Sequence, residues 1–358
     1  MDFSDCRRIL QEGVDNHAYP CAVYAIGRGY EVFDSGAMGN AAQNPQPIPV
    51  KMDTLFDMAS VSKVLSPTMI ALKLLERGEL VLTDTLSRFF TADELANAPA
   101  GRTEVTLFQL MTHTSGITPG FFLEEKAPDA TDSAVIRAII DSEPVCRPGE
   151  QVYYSCMGYI LLQKIMERIT GKKLNVLARE LVFGPLGMTH TCYNPTDTNV
   201  AWTEYSKPRG YYIHGEVHDE NAYHIGGVSG NAGVFSNLED MIKFVGMCSA
   251  HGRTPSGRFL SEAVFSAAIR DYTPGLDESR GLGFQLKPPM PRMNPMGDLM
   301  AQGSYGHTGF TGTSFYVDSE NGLWGILLTN AVHYGRNRVE FFRYRRKFYN
   351  AMAAGFTL

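Results

Sequence analysis

Residues 60–63 read Ser-Val-Ser-Lys, and this tetrad guides the interpretation of the whole chain. It stands near the start of an apolar-periodic segment from Phe56 to Gly78, which we predict to be a helix bent at Pro67. Because residues three apart share one face of a helix, the Ser60 hydroxyl and the Lys63 amine can meet. A Ser-x-x-Lys tetrad is expected about once by chance in a chain of this length, so further signals are needed.

Two later stretches supply those signals. Residues 153–156 read Tyr-Tyr-Ser-Cys, and residues 306–310 read Gly-His-Thr-Gly-Phe. In this order the three elements resemble the S-x-x-K, Y-x-N and K-T-G boxes of class C β-lactamases, DD-peptidases and their esterase relatives. Segments between residues 20 and 345, such as 110–116 and 184–188, also resemble that family. The resemblance implies an α+β fold of the serine β-lactamase/DD-peptidase type, with an antiparallel sheet flanked by helices and a mostly helical domain.

The resemblance also implies roles for single residues. Ser60 would be the acylated nucleophile, with Lys63 and Tyr154 moving its proton as a coupled pair. The backbone N–H groups of Ser60 and Phe310 would form the oxyanion hole. A lysine with its usual pKa of about 10.4 is protonated at pH 7, so a lysine base requires a pKa lowered by burial or by nearby positive charge.

The chain departs from the family pattern at two predicted substrate-binding positions. His307 replaces the family's lysine, and with an ordinary pKa near 6.5 it is mostly neutral at pH 7. The cation that holds a β-lactam or peptide carboxylate is then missing, and we expect weak or no β-lactamase activity. Cys156 replaces an asparagine that donates to a substrate's acyl amide, and a thiol is a poor substitute. Thr308, Gly309 and Arg338 complete the predicted substrate-binding set, Arg338 as a contact for an anion.

Structural interpretations of the same residues stay open. The serines of residues 60–63 could cap a helix while Lys63 is solvated, Tyr154 could be a core residue, and residues 307–309 could only open a strand. Cys156 could be a second nucleophile, but we favour a filler of a small polar pocket. Residues 218–220, His-Asp-Glu, are interpreted as a structural loop. The basic run is interpreted as the solvated face of a last helix; it comprises Arg343, Arg345, Arg346 and Lys347.

Strand patterns near both ends of the chain predict the domain organisation. A helix over 3–16, hairpins over 21–35 and 313–329, and a last helix over 338–352 are expected. Residues 84–238 alternate short helical patterns with Gly and Pro. We therefore predict an α/β sheet domain from residues 1–83 and 239–358 and a mostly helical domain from residues 84–238.

Composition excludes several function classes. The 358 residues carry a formal net charge of −6, which gives no basic field for nucleic acid. Six cysteines and nine histidines show no metal-ligand spacing, so neither a metal site nor a cofactor is expected. Charges interrupt residues 1–20, where a signal peptide needs an apolar stretch, and no run of about eighteen apolar residues follows. We expect a cytoplasmic protein with no membrane partner; the oligomeric state is not predicted.

These features together predict a serine hydrolase that acts through an acyl-enzyme on small esters or amides. An acyltransferase that moves the acyl group to a small-molecule alcohol or amine would use the same residues. A catalytically silent ligand-binding homologue is the alternative from another class.

Overall fold

A computed structural model describes residues 1–289 and 292–356. The fold is α+β, and its centre is a seven-stranded antiparallel sheet in the order β11-β12-β13-β14-β1-β2-β3. The strands are β1 (Cys21–Arg28), β2 (Glu31–Ala42), β3 (Ile48–Pro49), β4 (Phe56–Asp57), β5 (Cys192–Tyr193), β6 (Tyr205–Ser206), β7 (Tyr211–Tyr212), β8 (Val234–Ser236), β9 (Arg253–Thr254), β10 (Gly257–Arg258), β11 (Gln285–Leu286), β12 (Tyr305–Thr308), β13 (Ser314–Val317) and β14 (Leu323–Leu328).

Helices surround this sheet and fill the middle of the chain. They are α1 (Ser4–Asp15), α2 (Met69–Glu76), α3 (Leu86–Phe89), α4 (Leu107–Met111), α5 (Leu123–Lys126), α6 (Asp132–Ile140), α7 (Cys156–Thr170), α8 (Leu174–Ala178), α9 (Glu220–His224), α10 (Leu238–Ser249), α11 (Glu262–Ala268) and α12 (Val339–Gly355). The segments Ala59–Val61 and Ala331–Tyr334 are 3₁₀-helical, and Val64–Thr68 and Arg179–Phe183 are π-helical.

Strand β1 joins the two terminal parts of the sheet, because it pairs with β2 on one side and with β14 on the other. Its alternate side chains enter two different hydrophobic clusters. Val23 and Ala25 face the cluster that contains Met69 of α2 and Phe244 of α10. Tyr24 and its alternate neighbours face the cluster formed with α1 and α12. A strand buried on both faces reads as a continuous apolar run, which is the pattern of residues 21–26.

The two predicted hairpins and the two terminal helices are present, with strand β2 ending seven residues later than expected. The predicted helix from Phe56 to Gly78 is wrong at its start. Phe56 and the next residue form β4, which pairs with β8, and regular α-helix begins only at Met69. Pro67 lies inside the π-helical segment, where the wider turn accommodates a residue that has no N–H to donate. Gly78 has φ +71°, as a residue just beyond a helix end requires.

The sheet takes strands from both predicted parts of the α/β domain, β1–β3 from the first and β11–β14 from the second. The domain boundaries at residues 83/84 and 238/239 stay a prediction. Over residues 1–289 and 292–356, no helix is both long enough and apolar enough to cross a membrane.

Candidate active site

Ser60 lies in the 3₁₀ turn between β4 and the π-helical segment, at the wall of a cavity of about 310 Å³. The residue before it, Ala59, has φ +45°, a left-handed conformation that costs a residue with a Cβ about 1–3 kcal/mol. The buried carboxylate of Asp57 stabilises this turn, because it accepts the N–H of Ala59 at 2.8 Å and that of His218 at 2.7 Å. The turn therefore presents Ser60 from a fixed backbone.

Lys63 is fully buried beneath Ser60. Its Nζ donates to the Oγ of Ser60 at 3.1 Å, to the backbone oxygen of Asn231 at 2.9 Å and to the Sγ of Cys156 at 3.5 Å. Burial by itself lowers the pKa of Lys63. The neighbouring Cys156 and Tyr154 raise this pKa by more than burial lowers it, so it lies above its usual range. The expected lowering of this pKa is therefore wrong for the resting site, since the acceptors around Nζ favour the ammonium form.

Tyr154 approaches the same cavity from the segment that precedes α7. Its ring lies 4.8 Å from Nζ of Lys63 and 4.4 Å, centre to centre, from the ring of His113. Burial raises the pKa of Tyr154, while Lys63 and the Ser60 hydroxyl lower it in part. The buried Tyr154 hydroxyl makes no hydrogen bond within the described chain. Its hydrogen-bonding capacity is thus unused, beside Lys63 and the Ser60 hydroxyl.

The end of β12 lies directly against the turn that carries Ser60. A methyl group on Gly309 would lie 2.2 Å from Oγ1 of Thr313 and 2.5 Å from the backbone oxygen of Met58, so only glycine fits. The Thr313 hydroxyl donates to the same Met58 oxygen at 3.1 Å. The backbone N–H groups of Ser60 and Phe310 donate no hydrogen bond to another described residue, as an oxyanion hole requires.

His307 is buried in the cavity wall and is neutral. Its Nδ1 lies 2.8 Å from the backbone oxygen of Thr308, so Nδ1 carries the proton and Nε2 is an acceptor. Burial, with the charges of Arg280 and Lys63, lowers the pKa of His307 to about 3. Thr308 also lines the cavity, whereas the half-buried Cys156 lies behind it against Lys63.

Arg338 lines the cavity, and its guanidinium lies 4.0 Å from the centre of the Phe310 ring and donates to the Phe310 oxygen. Arg345 lines the same cavity and is only 8% exposed. The interpretation of the basic run as a solvated face is therefore wrong for Arg345. Residues seven apart lie on one face of a helix. Arg338, just before α12, and Arg345, within α12, therefore both lie on the side of this helix that faces the cavity.

Sequence reasoning missed the residues that position the catalytic candidates. His113 packs on Tyr154, and its Nδ1 accepts the N–H of Ser155, the residue that caps α7. Burial lowers the pKa of His113 well below its usual range. Asp57 likewise positions the Ser60 turn by accepting the N–H of Ala59. The carbonyl of Asn231 positions Lys63 by accepting a hydrogen bond from its Nζ. Both His113 and Asn231 fall in segments that resemble the family, but nothing in the sequence shows which side chain they contact.

Most of the residues named by sequence thus line one cavity, and Lys63 joins Ser60 at its wall to Cys156 behind it. Over residues 1–289 and 292–356, no group of three or more His, Cys, Asp or Glu side chains is arranged to hold a metal ion. His218, from the predicted structural loop, hydrogen-bonds through Nε2 to Glu204 at 2.9 Å.

Comparisons with known proteins found related sequences and similar folds. The family model described as Beta-lactamase matches residues 6–349. A protein of Escherichia coli O157:H7 named "Putative D-alanyl-D-alanine carboxypeptidase" is 30% identical over 315 residues, covering 80% of this chain and 71% of its own. Two solved structures share the fold: "EstCE1, a hydrolase with promiscuous acyltransferase activity" (TM-score 0.77, 20% identity, 98% of each chain) and simvastatin synthase of Aspergillus terreus (TM-score 0.76, 19% identity, 100% of this chain and 99% of its own).

Proposed function

Because the chain belongs to the Beta-lactamase family, which consists of serine hydrolases and acyltransferases, we propose that it is a hydrolase that forms an acyl-enzyme at Ser60 with a small ester or amide. The observation that carries this proposal is the 3.1 Å hydrogen bond from Nζ of Lys63 to Oγ of Ser60 in a cavity that Tyr154 also lines.

The proposed acylation follows from this geometry. The Oγ of Ser60 attacks the substrate's carbonyl carbon, and the negative charge that develops on the carbonyl oxygen faces the N–H groups of Ser60 and Phe310. The proton of Ser60 passes to the coupled Lys63 and Tyr154 pair, once that pair has lost one proton. The free Tyr154 hydroxyl, at the cavity wall, then protonates the leaving alcohol or amine.

Deacylation reverses these roles. A water molecule gives a proton to the same pair and adds to the acyl carbon, the bond to Oγ breaks, and Oγ takes back a proton. The products are a carboxylic acid and free Ser60.

Weak or absent β-lactamase activity is part of this proposal. His307 stands where the family's lysine is expected, and with a pKa of about 3 it carries no charge at neutral pH. No permanent cation is then present at that position. The thiol of Cys156 likewise offers little to an acylamino side chain.

Intact-protein mass spectrometry after treatment with a fluorophosphonate tests the proposal. We expect one adduct on the native chain and none on Ser60→Ala. Ser62→Ala serves as a matched control, because Ser62 is buried and its hydroxyl accepts the N–H of Val234 at 3.0 Å. A native chain that remains unlabelled while p-nitrophenyl acetate also remains intact would instead support a silent ligand-binding homologue.

Acyl transfer is the second candidate function. It is favoured by the fold shared with a hydrolase described as having promiscuous acyltransferase activity. The same acyl-enzyme would then be intercepted by an alcohol or amine in place of water. Product analysis of p-nitrophenyl acetate turnover with and without added n-butanol separates the two outcomes, since butyl acetate forms only by transfer.

A further inference from the structure

The sulfur of Cys156 is in contact with a buried cation. Its Sγ accepts a hydrogen bond from Nζ of Lys63 at 3.5 Å, and Lys63 is fully buried. The other two hydrogen bonds of this ammonium go to Oγ of Ser60 and to the backbone oxygen of Asn231. Because sulfur is a weak acceptor, the contact with Cys156 satisfies the ammonium poorly. An oxygen atom attached to this sulfur would find a charged donor already in place.

Cys156 also stands at the start of a long helix. It is the first residue of the 15-residue helix α7, and the Ser155 hydroxyl caps this helix by accepting the N–H of Gly158 at 3.1 Å. A helix N-terminus carries partial positive charge. Cysteine thiolates are stabilised at helix N-termini and beside lysine ammonium groups, and the thiolate is the form that peroxides oxidise. Both stabilising features meet at Cys156.

The other half-buried cysteines have different surroundings. Three of the six cysteines are buried, and the half-buried ones are Cys146, Cys156 and Cys192. Burial raises the pKa of the Cys146 and Cys192 thiols, and the charges of nearby carboxylates raise it further. Cys192, for example, has Asp197 and Asp240 as its charged neighbours, whereas Cys156 has an ammonium. Among the half-buried thiols of the described chain, Cys156 thus has the surroundings that favour oxidation.

An unused hydrogen-bonding group lies next to this pair. The buried hydroxyl of Tyr154 has no partner among the described residues, and the Tyr154 ring lies 4.8 Å from Nζ of Lys63. Burial and a charge on Cys156 raise the pKa of Tyr154, while Lys63 lowers it in part. The three groups therefore share one electrostatic environment, in which a change of charge at Cys156 acts on both members of the proposed catalytic pair.

We propose that Cys156 is a site of reversible oxidation by a hydroperoxide, and that the sulfenic acid formed there, held by Lys63, stops the acylation of Ser60. The thiolate sulfur attacks the outer oxygen of ROOH, a sulfur–oxygen bond forms, the oxygen–oxygen bond breaks, and the alkoxide takes up a proton and leaves as ROH. The sulfur is oxidised by two electrons and the peroxide is reduced by two. A dithiol reverses the change, because it returns Cys156 to the thiol and becomes a disulfide, with water as the other product.

Inhibition follows from the hydrogen bonds of Lys63, and this part of the inference rests on the proposed function. A hydrogen bond to a charged oxygen is about twice as strong as one to a neutral acceptor, so the sulfenate holds Nζ far better than the thiol does. Lys63 then keeps its proton and is drawn toward Cys156, away from Oγ of Ser60. The pair of Lys63 and Tyr154 therefore accepts the Ser60 proton less readily, and acylation slows.

Peptide mapping by mass spectrometry after brief treatment with hydrogen peroxide tests the modification without any substrate. The peptide that contains Cys156 should gain one oxygen atom at least about tenfold faster than those that contain Cys146 and Cys192, and should lose it in dithiothreitol. Reversal by dithiothreitol separates sulfenic acid from methionine sulfoxide, which requires its own reductases. Lys63→Met removes the ammonium and should slow the gain by about tenfold. Lys73→Met, on α2, is the matched control and should leave it unchanged.

Fluorophosphonate labelling of Ser60 before and after the same treatment tests the inhibition. The native chain should be labelled at least about tenfold more slowly after oxidation, the effect of one charge-assisted hydrogen bond, and should recover in dithiothreitol. Cys156→Ala should keep its own untreated rate in peroxide, whereas Cys192→Ser should lose labelling as the native chain does. An unchanged labelling rate in a chain oxidised at Cys156 overturns the inhibition.

The modification site and the proposed hydrolase fail in different ways. If the Cys156 peptide gains no oxygen, or if all three half-buried cysteines gain it equally fast, the modification site is overturned whether or not Ser60 reacts. If Ser60 is never labelled but Cys156 is oxidised reversibly and Lys63→Met slows this oxidation, the modification site stands and the proposed hydrolase fails.

Discussion

The Sγ of Cys156 lies 3.5 Å from Nζ of Lys63, so the residue that departs from the family's asparagine touches the proposed base. A carboxamide would accept from the ammonium of Lys63 more strongly than a thiol and could donate to a substrate amide. We expect Cys156→Asn to raise kcat/KM for the p-nitrophenyl ester of N-acetylglycine by about two- to tenfold relative to that of pentanoic acid, the effect of one hydrogen bond. An unchanged ratio of the two rates would show that Cys156 does not face the acyl group.

Tyr154→Phe separates the role of the hydroxyl from that of the ring. The ring contacts with His113 and Lys63 remain, so the melting temperature should stay within a few degrees. The kcat for p-nitrophenyl acetate should fall by about 100-fold or more, since general acid–base catalysis contributes about that much. Tyr153→Phe, at the neighbouring position outside the cavity, is expected to retain activity. Equal activity of both variants would exclude Tyr154 from the proton transfer.

The neutral His307 predicts a pH dependence of stability. Its pKa is about 3 in the folded chain and near 6.5 in an unfolded one. Between these values the unfolded chain binds a proton that the folded chain does not, so the free energy of unfolding decreases as the pH falls from about 6.5 to 3.

Urea unfolding of the native chain and of His307→Gln between pH 4 and 6 measures this contribution. The native chain should lose about 1.4 kcal/mol more per pH unit than the variant. Parallel curves for His307→Gln and the native chain would mean that the buried histidine is protonated in the folded state.

Gly309→Ala tests the contact between β12 and the Ser60 turn. The added methyl group must displace Met58 or Thr313, which we expect to lower the free energy of unfolding by about 1–3 kcal/mol and to reduce kcat through the displaced N–H of Phe310. Gly120→Ala, where a Cβ meets no atom within 4 Å, should change neither quantity. Urea unfolding and steady-state kinetics on both variants measure the effect, and native values for Gly309→Ala would contradict the contact.

Local patterns explain how much of the fold the sequence predicted. We could predict the strand β1 from its apolar run, the hairpin that ends in β14, and the periodic terminal helices. Each of these patterns depends on neighbours within a few residues. The residue at which the helix after Ser60 begins could not be predicted from the sequence. Its first residues pair with β8, about 180 residues later in the chain, and such pairing leaves no local pattern.

The sequence by itself determined which groups are available: a serine three residues before a lysine, a tyrosine box and a His-Thr-Gly box, with histidine and cysteine at the variant positions. Tertiary structure alone decided their protonation and their neighbours. It buried Lys63 among acceptors, made His307 neutral, and turned Arg345 from an expected surface residue into part of the cavity wall. The reason is physical: a pKa and a contact depend on burial and on charges brought together from distant parts of the chain, whereas residue type and spacing do not.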